Sequence, residues 1–365
     1  MGVSVESWLE VLEQRTNVDV DYMDPAFTLS VQPFQFNDMT SNQTFVHEQM
    51  CHPDNASLLR DVVSQYKTSG WLAIYTHMAV LMCKANISNI KGRVLLQTLP
   101  TYAYNCVKTV EHARAYAREF EAVGISKDRF CIKIPATGPG LRACQILAQD
   151  GIRTLGTAVF SVHQAIAASQ AGCLYISPYY NEPLAHVDRS IWPQSDDPAL
   201  LHPFSPRLIQ ILDTYKRLYK ETGREQPLVK LAGFLSTSEA MAASEIGCHS
   251  ATISHQVLKE LWALRYVSSK QPGEGVPKPA HPYANALPSP ARLAQLAGLD
   301  PLAPATWNGE LASADVDYLA NNGENLDAAN NADPETKRRI ADALEGFVKA
   351  EKRSQSKIQG LMEGL

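Results

Sequence analysis

The stretch that decides the fold is RFCIKIPAT, residues 129–137, in which Lys133 interrupts an apolar run. A short apolar run between a loop at 124–128 and the turn residues of 138–140 predicts a buried strand. Lysine is rarely buried, because removing an ammonium from water is costly unless pairing or deprotonation relieves the cost. Desolvation lowers a lysine pKa, and a neutral amine can attack a carbonyl to form a Schiff base. The alternative is an edge-strand lysine whose tip reaches solvent.

The rest of the chain alternates strand and helix patterns around this segment. Further strands are predicted at 17–21, 34–42, 93–97, 154–160, 173–178, 228–232 and 250–253. Helices are predicted at 4–15, 58–70, 71–83, 107–123, 140–150, 161–171, 206–222, 238–246 and 254–266. Eight strands that alternate with helices favour an α/β fold whose parallel sheet closes as a TIM (β/α)8 barrel. An open doubly wound sheet is the alternative, although no Gly-x-Gly-x-x-Gly motif follows any strand.

The chain is expected to form one domain, 1–365, with the barrel at 17–266 preceded by a helix. The remaining segment, 267–365, is expected to be an extension packed on the barrel. Its first part, 270–307, is rich in Pro, Gly and Ala, which predicts a surface excursion. Its last part, 334–365, has the charged amphipathic pattern of a long closing helix, so additional C-terminal helices are predicted.

The composition is that of a globular protein, with 45% hydrophobic residues, 19% charged residues and a net charge of −5. This balance gives no electrostatic footprint for nucleic acid or for an anionic membrane surface. No apolar run approaches the roughly 20 residues of a membrane span, and the N-terminus lacks a secretory pattern. Seven scattered cysteines without a Cys-x-x-Cys pair favour reduced thiols over disulfides or a zinc site. We therefore expect a cytoplasmic protein with no metal, nucleic-acid partner or membrane partner.

Polar side chains fall where the predicted strands end. Reacting groups in a TIM barrel sit at the C-terminal ends of the strands, so these side chains are expected to converge on one mouth. Several converging polar groups favour a reactive Lys133 over a solvent-seeking one. The set is Asp21, Thr40 or Asn42, Gln97, Lys133, Thr157, Ser177 and, just beyond its strand, Tyr179.

Several of these segments together resemble the transaldolase family in order and spacing. The matching segments are VDVDYMD at 18–24, TSNQ at 40–43, CIKIPAT at 131–137, FS at 160–161 and ISP at 176–178, and the resemblance runs from about 18 to 266. It implies a TIM barrel with class I Schiff-base chemistry that needs neither metal nor cofactor. It further implies a small sugar substrate, transfer of a dihydroxyacetone unit in the pentose phosphate pathway, and a homodimer.

The resemblance also assigns roles. Lys133 would form the Schiff base, and Asp21 would be the general acid and base for the substrate hydroxyl. Asn42 and Ser177 would hold the hydroxyls of the dihydroxyacetone unit, with Thr40 beside them, and Thr157 would help to hold a catalytic water.

Four other residues near the mouth have lesser roles in this interpretation. Asp24 is the fallback carboxylate if the position of Asp21 is misjudged. Asp38 is expected to line the barrel interior, and Asp19 to belong to a polar network one layer below. Cys131, on the same strand face as Lys133, is expected to fill the core.

Some positions depart from the family pattern near the mouth. Gln97 stands where transaldolases have a glutamate, and Tyr179 stands where they have a phenylalanine. Both residues resemble the related fructose-6-phosphate aldolase branch, which performs simple aldol reactions, and both are therefore counted as catalytic. Leu155 replaces an asparagine.

The phosphate-binding arginines of the family are also missing. Their positions align with Glu182 and Thr237, and a carboxylate in place of an arginine repels phosphate. Arg189 or Arg207, in the proline-rich loop, could substitute for them.

Three functions remain open from the sequence. The first is a transaldolase-like class I aldolase that acts on a non-phosphorylated or atypically bound carbonyl substrate. The second is a conventional transaldolase whose phosphate is held by other groups. The third is a catalytically silent barrel that serves as a binding subunit.

Overall fold

The computed structural model describes residues 6–273, 275 and 277–364. Eight parallel strands pair in chain order and close into a barrel. The predicted TIM barrel is therefore confirmed, and the open sheet is excluded. The strands are β1 (Asn17–Asp21), β2 (Met39–Thr40), β3 (Val94–Gln97), β4 (Phe130–Pro135), β5 (Thr154–Val159), β6 (Tyr175–Pro178), β7 (Leu228–Leu231) and β8 (Ser250–Ser254).

Helices surround the barrel and continue beyond it. They are α1 (Trp8–Arg15), α2 (Pro25–Ser30), α3 (Gln43–Cys51), α4 (Ala56–Tyr66), α5 (Trp71–Asn86), α6 (Cys106–Ala122), α7 (Gly138–Gln149), α8 (Val162–Gln170), α9 (Pro198–Leu201), α10 (Ser205–Thr222), α11 (Thr237–Ile246), α12 (His255–Ala263), α13 (Ala320–Ala332) and α14 (Pro334–Gly364). Short 3-10 segments are Pro53–Asn55, Lys67–Ser69, Ile87–Asn89, Pro100–Tyr102, Pro183–His186, Arg189–Ile191, Ser268–Lys270 and Ala291–Gly298. Among the described residues, no helix is long and apolar enough to cross a membrane.

Side-chain caps set several helix starts next to the strand ends. Ser7 and Glu10 form a capping box at α1, so this helix begins later than predicted; the predicted start at Ser4 lies outside the described residues. Thr137 lies two residues after the end of β4, and its Oγ1 accepts from the amide of Gly140. Ser161 forms the matching cap with Gln164 at α8. These caps stop each strand sharply, so the preceding side chains stay at the mouth.

Alternation along the strands separates the inner from the outer face. Leu95, Cys131, Leu155 and Tyr175 form a small buried cluster of their own, apart from the main core. Each lies two residues before a predicted site residue of the same strand, so each shares its inward face. The outward residues, such as Ile132 and Ile134, belong to the large core between strands and helices. Cys131 is therefore core filling, as predicted.

The second strand is much shorter than predicted. Only Met39 and Thr40 pair with the neighbouring strands, whereas 34–42 was expected. The preceding Phe36 packs against Phe27 and Phe34, away from the barrel interior. The strand ends at Thr40 because Asn42 turns to cap α3 through its side chain.

The C-terminal extension is more deeply packed than a surface excursion. Leu293 and Leu296 are buried within Ala291–Gly298, which lies against α10. Further along, α13 lies on α7, where the backbones of Gly138 and Gly323 touch so closely that a Cβ on either would overlap the other. Asp327 accepts a 2.7 Å hydrogen bond from the amide of Gly138. The extension therefore contacts the barrel at the start of the helix that follows the Lys133 strand.

Candidate active site

Lys133 points into the barrel one layer above the apolar cluster. It is 4% exposed, and its Nζ lies 3.5 Å from Thr40 Oγ1. Two register pairs complete this level of the barrel: Gln97 lies beside Lys133, and Asp21 lies beside Thr40. The structure thus brings these four predicted residues together.

The charges of Lys133 and Asp21 are set mainly by burial. Burial lowers the pKa of Lys133, and the Asp21 carboxylate only partly opposes this shift. Burial also raises the pKa of Asp21 to about 6, and Lys133 opposes it. Asp21 Oδ1 is buried and accepts no hydrogen bond from any described residue. The pair therefore combines an amine that loses its proton easily with a carboxylate that can gain one near neutral pH.

Gln97 is fixed by a second glutamine. Its Nε2 donates a 2.8 Å hydrogen bond to Gln43 Oε1, and Gln43 in turn donates to the carbonyls of Gln97 and Thr98. The remaining Gln97 Oε1 is buried and has no partner among the described residues. Gln43 was not singled out from the sequence, although it follows Asn42 directly. This arrangement leaves one fixed acceptor facing the interior.

Thr157, Ser177 and Tyr179 line the other side of this level. Thr157 and Ser177 are register partners, and both are buried. Thr157 Oγ1 lies 3.0 Å from the hydroxyl of Tyr179. The register between the strands shifts after Thr157, where Ala158 takes a positive φ of 57°. Burial raises the pKa of Tyr179, so its hydroxyl stays protonated.

Asn42 lies in a different local structure from the strand that was predicted for it. It follows β2 instead of extending it, and its Oδ1 accepts from the amides of Thr44 and Phe45. This cap holds the side chain by its oxygen and leaves the amide nitrogen able to donate. Asp24 also serves as a cap, at α2, where its Oδ1 accepts from the amide of Ala26. This carboxylate oxygen is therefore occupied by a backbone amide.

A second buried lysine, Lys230, was missed in the sequence. Its Nζ lies 2.8 Å from Asp19 Oδ2 and 3.1 Å from Ser250 Oγ. It also forms an ion pair with Asp38 Oδ2 at 2.8 Å, without hydrogen-bond alignment, and lies 4.3 Å from the ring centre of Tyr175. The two carboxylates raise the pKa of Lys230, so this lysine keeps its charge. The sequence signal was the same as for Lys133, a lone lysine in an apolar strand.

This cluster gives Asp19 and Asp38 their predicted places in the barrel interior. Asp19 accepts further hydrogen bonds from the Asn37 side chain and from the amide of Asp38, both at 3.1 Å. Thr252 donates to it as well. The network is a closed structural layer below the level of Lys133.

The arginines named as phosphate substitutes are engaged elsewhere. Arg207 is buried in contact with Asp300 and Asp333 at 2.9 Å each. Arg189 is exposed and lies over the ring of Trp192. Among the described residues, no cluster of three or more His, Cys, Asp or Glu side chains has the arrangement of a metal site.

Glu182, at one of the arginine positions, makes a 2.5 Å ion pair with Arg338 of α14. The other such position, Thr237, is the first residue of α11.

Known proteins resemble this chain over the barrel. Residues 18–286 match the family described as transaldolase/fructose-6-phosphate aldolase. A protein named transaldolase from Mannheimia succiniciproducens is 28% identical over 74% of this chain and 85% of its own length. A transaldolase from Haemophilus influenzae is 29% identical over 68% of this chain and 78% of its own. One from Thermosynechococcus vestitus is 27% identical over 69% of this chain, which spans only 65% of that protein. The chain belongs to the transaldolase/fructose-6-phosphate aldolase family.

Proposed function

We propose that this protein is a class I aldolase that forms a Schiff base between Lys133 and a ketone donor. The observation that carries the proposal is the contrast between the two buried lysines. Lys230 is held charged by two carboxylates at 2.8 Å, whereas burial lowers the pKa of Lys133. Only an uncharged amine has the lone pair that attacks a carbonyl, so Lys133 is the nucleophile.

The reaction follows from this pair of groups. The Lys133 nitrogen bonds to the ketone carbon, one proton is taken up, and the carbonyl oxygen leaves as water, which gives a protonated imine. The Asp21 carboxylate then accepts the proton of the hydroxyl on the carbon beyond the bond to be broken. As that bond breaks, its electron pair moves into the imine as an enamine, and the other half leaves as an aldehyde. The enamine next takes a proton or attacks a second aldehyde.

The polar groups opposite Lys133 suit the steps that gain or lose water. Gln97 Oε1 is an acceptor without a partner among the described residues, and the hydroxyls of Thr157 and Tyr179 are linked at 3.0 Å. A water held among such groups can attack the imine carbon. We propose Asn42, Thr40 and Ser177 as binders of the donor hydroxyls.

We propose that the substrate lacks a phosphate, or that its phosphate is bound atypically. Arg207 has its guanidinium in contact with two aspartates, and Glu182 places a carboxylate at one former arginine position. Phosphate is ordinarily gripped by arginines in bidentate contacts. The second candidate, a conventional transaldolase of the pentose phosphate pathway, is favoured by the names of the relatives.

Borohydride trapping tests the Schiff base. The protein is incubated with dihydroxyacetone and sodium borohydride, and intact mass and peptide mapping locate the reduced adduct. We expect one adduct, on Lys133, and none in Lys133→Met. An adduct on Lys230 instead, or no adduct with any ketone, would refute the proposal and favour a silent binding barrel.

Turnover of matched substrates then tests the phosphate. Fructose and fructose 6-phosphate share one carbon skeleton and differ only in the phosphate. Efficient transfer with the phosphorylated sugar alone would favour the conventional transaldolase, and turnover of that sugar alone would refute a substrate without phosphate.

A further inference from the structure

The long helix α14 lies across the mouth of the barrel. Near its C-terminal end, Ser354 lies 3.1 Å from His47 of α3, which follows β2, and Glu351 binds Thr101, which follows β3. Near its start, Arg338 binds Glu182, which follows β6. In a closed barrel of eight strands in chain order, β2 and β6 are opposite each other. A helix with contacts on both sides must cross the mouth, and α14 also packs on the end of β5.

Burial at the strand ends agrees with this crossing. The site residues at the ends of β3, β4, β5 and β6 are buried; they are Gln97, Lys133, Thr157 and Ser177. Asp21 and Ser254, at the ends of β1 and β8, are partly exposed, as is Asn42 two residues after β2, whereas Thr40 at the end of β2 is buried. Helix α14 thus covers the mouth from β2 to β6, including Lys133, and the open side lies over β1 and β8.

The proposed reaction fixes which half of the substrate lies on the open side. Lys133 holds the donor half, and Asp21 takes the proton from the hydroxyl of the half that leaves as the aldehyde. The aldehyde half must therefore lie beside Asp21, towards the opening. This step rests on the proposed function.

The residue after Asp21 belongs to an aromatic cluster. Tyr22 follows Asp21 in sequence and stacks on His255 with ring centres 4.0 Å apart; it meets Phe45 edge-on at 5.8 Å. All three side chains are partly exposed. His255 Nδ1 is buried and has no partner among the described residues. An aromatic face beside an unused ring nitrogen suits a flat or carbon-rich aldehyde that carries a hydroxyl.

Charges of both signs surround the opening, so they give an anion no net attraction. The carboxylates of Asp24 and Glu48 both act on Tyr22. Lys259 and Arg353 are the cations nearby, and the same carboxylates offset them, because Lys259 and Asp24 act together on His255 and Arg353 acts on Glu48. We propose that Tyr22, Phe45 and His255 form the subsite for the aldehyde half of the substrate, and that this aldehyde is uncharged.

Kinetics with paired aldehydes test the subsite. Dihydroxyacetone is the donor, and glyceraldehyde, glyceraldehyde 3-phosphate and benzaldehyde are the acceptors. Wild type should favour the two uncharged aldehydes. Tyr22→Ala should raise KM for them about tenfold and leave the rate of donor trapping at Lys133 unchanged. The control is Tyr102→Ala, a partly exposed aromatic at the roofed end of β3, which should change neither quantity.

A surface variant tests the subsite even if Tyr22→Ala does not fold. Glu48→Lys reverses an exposed charge beside the opening and should lower KM about threefold for glyceraldehyde 3-phosphate only. Unchanged acceptor KM in both variants, or the same change in Tyr102→Ala, would overturn the subsite. Absence of trapping in wild type would instead overturn the proposed function, so the two failures are distinguishable.

Discussion

Replacing Lys230 should destabilise the barrel without removing Lys133, the lysine proposed to be reactive. Lys230 is 2% exposed and lies 2.8 Å from each of two buried carboxylates, so Lys230→Met leaves Asp19 and Asp38 without their cation in a closed layer. Removing one partner of a buried ion pair costs about 3–5 kcal/mol. We expect a loss of this size in the free energy of unfolding at pH 7.5, measured by urea denaturation.

The loss should shrink as the pH falls. Burial raises the pKa of Asp19, and the Lys230 ammonium is what opposes that shift. Without the ammonium, the folded variant binds a proton at a pH where the unfolded chain, with an aspartate pKa of about 3.9, does not. A carboxyl group whose pKa is higher in the folded than in the unfolded chain stabilises the folded state when it is protonated. This contribution is complete below the unfolded pKa and is lost as the pH rises through the folded pKa. The variant should therefore regain up to about 1.4 kcal/mol for each pH unit below the folded pKa of Asp19.

An exposed lysine provides the control. Lys91 forms a 3.2 Å pair with Glu13 at the surface, so Lys91→Met should cost less than about 1 kcal/mol at either pH. Folded Lys230→Met should still form the borohydride adduct on Lys133. A cost below about 1 kcal/mol at pH 7.5, or a cost that does not fall between pH 7.5 and pH 5, would refute the view that Lys230 is a charged structural group.

Three further changes test the mouth and its attachment. Asp21→Asn should still give the trapped adduct but slow C–C cleavage about 100-fold or more, and an unchanged cleavage rate would contradict Asp21 as the base. The activity of the wild type should rise with pH through about 6, the pKa of Asp21. Tyr179→Phe removes the 3.0 Å contact with Thr157 and should lower turnover about tenfold with little change in thermal stability, which separates a chemical from a structural role. Gly138→Ala pushes a methyl into the backbone of α13 and should cost about 1–3 kcal/mol in thermal unfolding, whereas Gly346→Ala, in open space on α14, should be neutral or slightly stabilising.

The sequence was most informative where side chains alternate along buried strands. A strand with a period of two puts Lys133 and Cys131 on one face, and the structure has both inside the barrel. The same rule predicted the interior position of Asp19. It failed at 34–42, because one Asn42 cap ended the strand after two paired residues. Local capping outweighs a strand pattern there, since a helix start satisfies amides that would otherwise stay unpaired.

The contacts of the C-terminal extension could not be predicted from local pattern. Arg207 was considered for phosphate because it follows the proline-rich segment after β6, although the structure places it in the first turn of α10. Its partners, Asp300 and Asp333, are 93 and 126 residues further along the chain, and no periodicity links them. The same holds for Glu182 and Arg338, which meet only because α14 crosses the barrel. Long-range pairings of this kind depend on tertiary packing, which a single sequence does not display.

The two lysines explain why residue type alone could not identify the reactive group. Lys133 and Lys230 each interrupt an apolar strand, and both side chains are buried inside the same barrel. They differ in what lies opposite: Lys230 faces two carboxylates that stabilise its charge, whereas Lys133 faces a hydroxyl and one carboxylate whose own pKa is raised. A charged lysine holds a structure together, and an uncharged one is a nucleophile. The proposed chemistry therefore depends on three carboxylates: Asp19 of β1 and Asp38, which precedes β2, bind Lys230, while Asp21 stays beside Lys133.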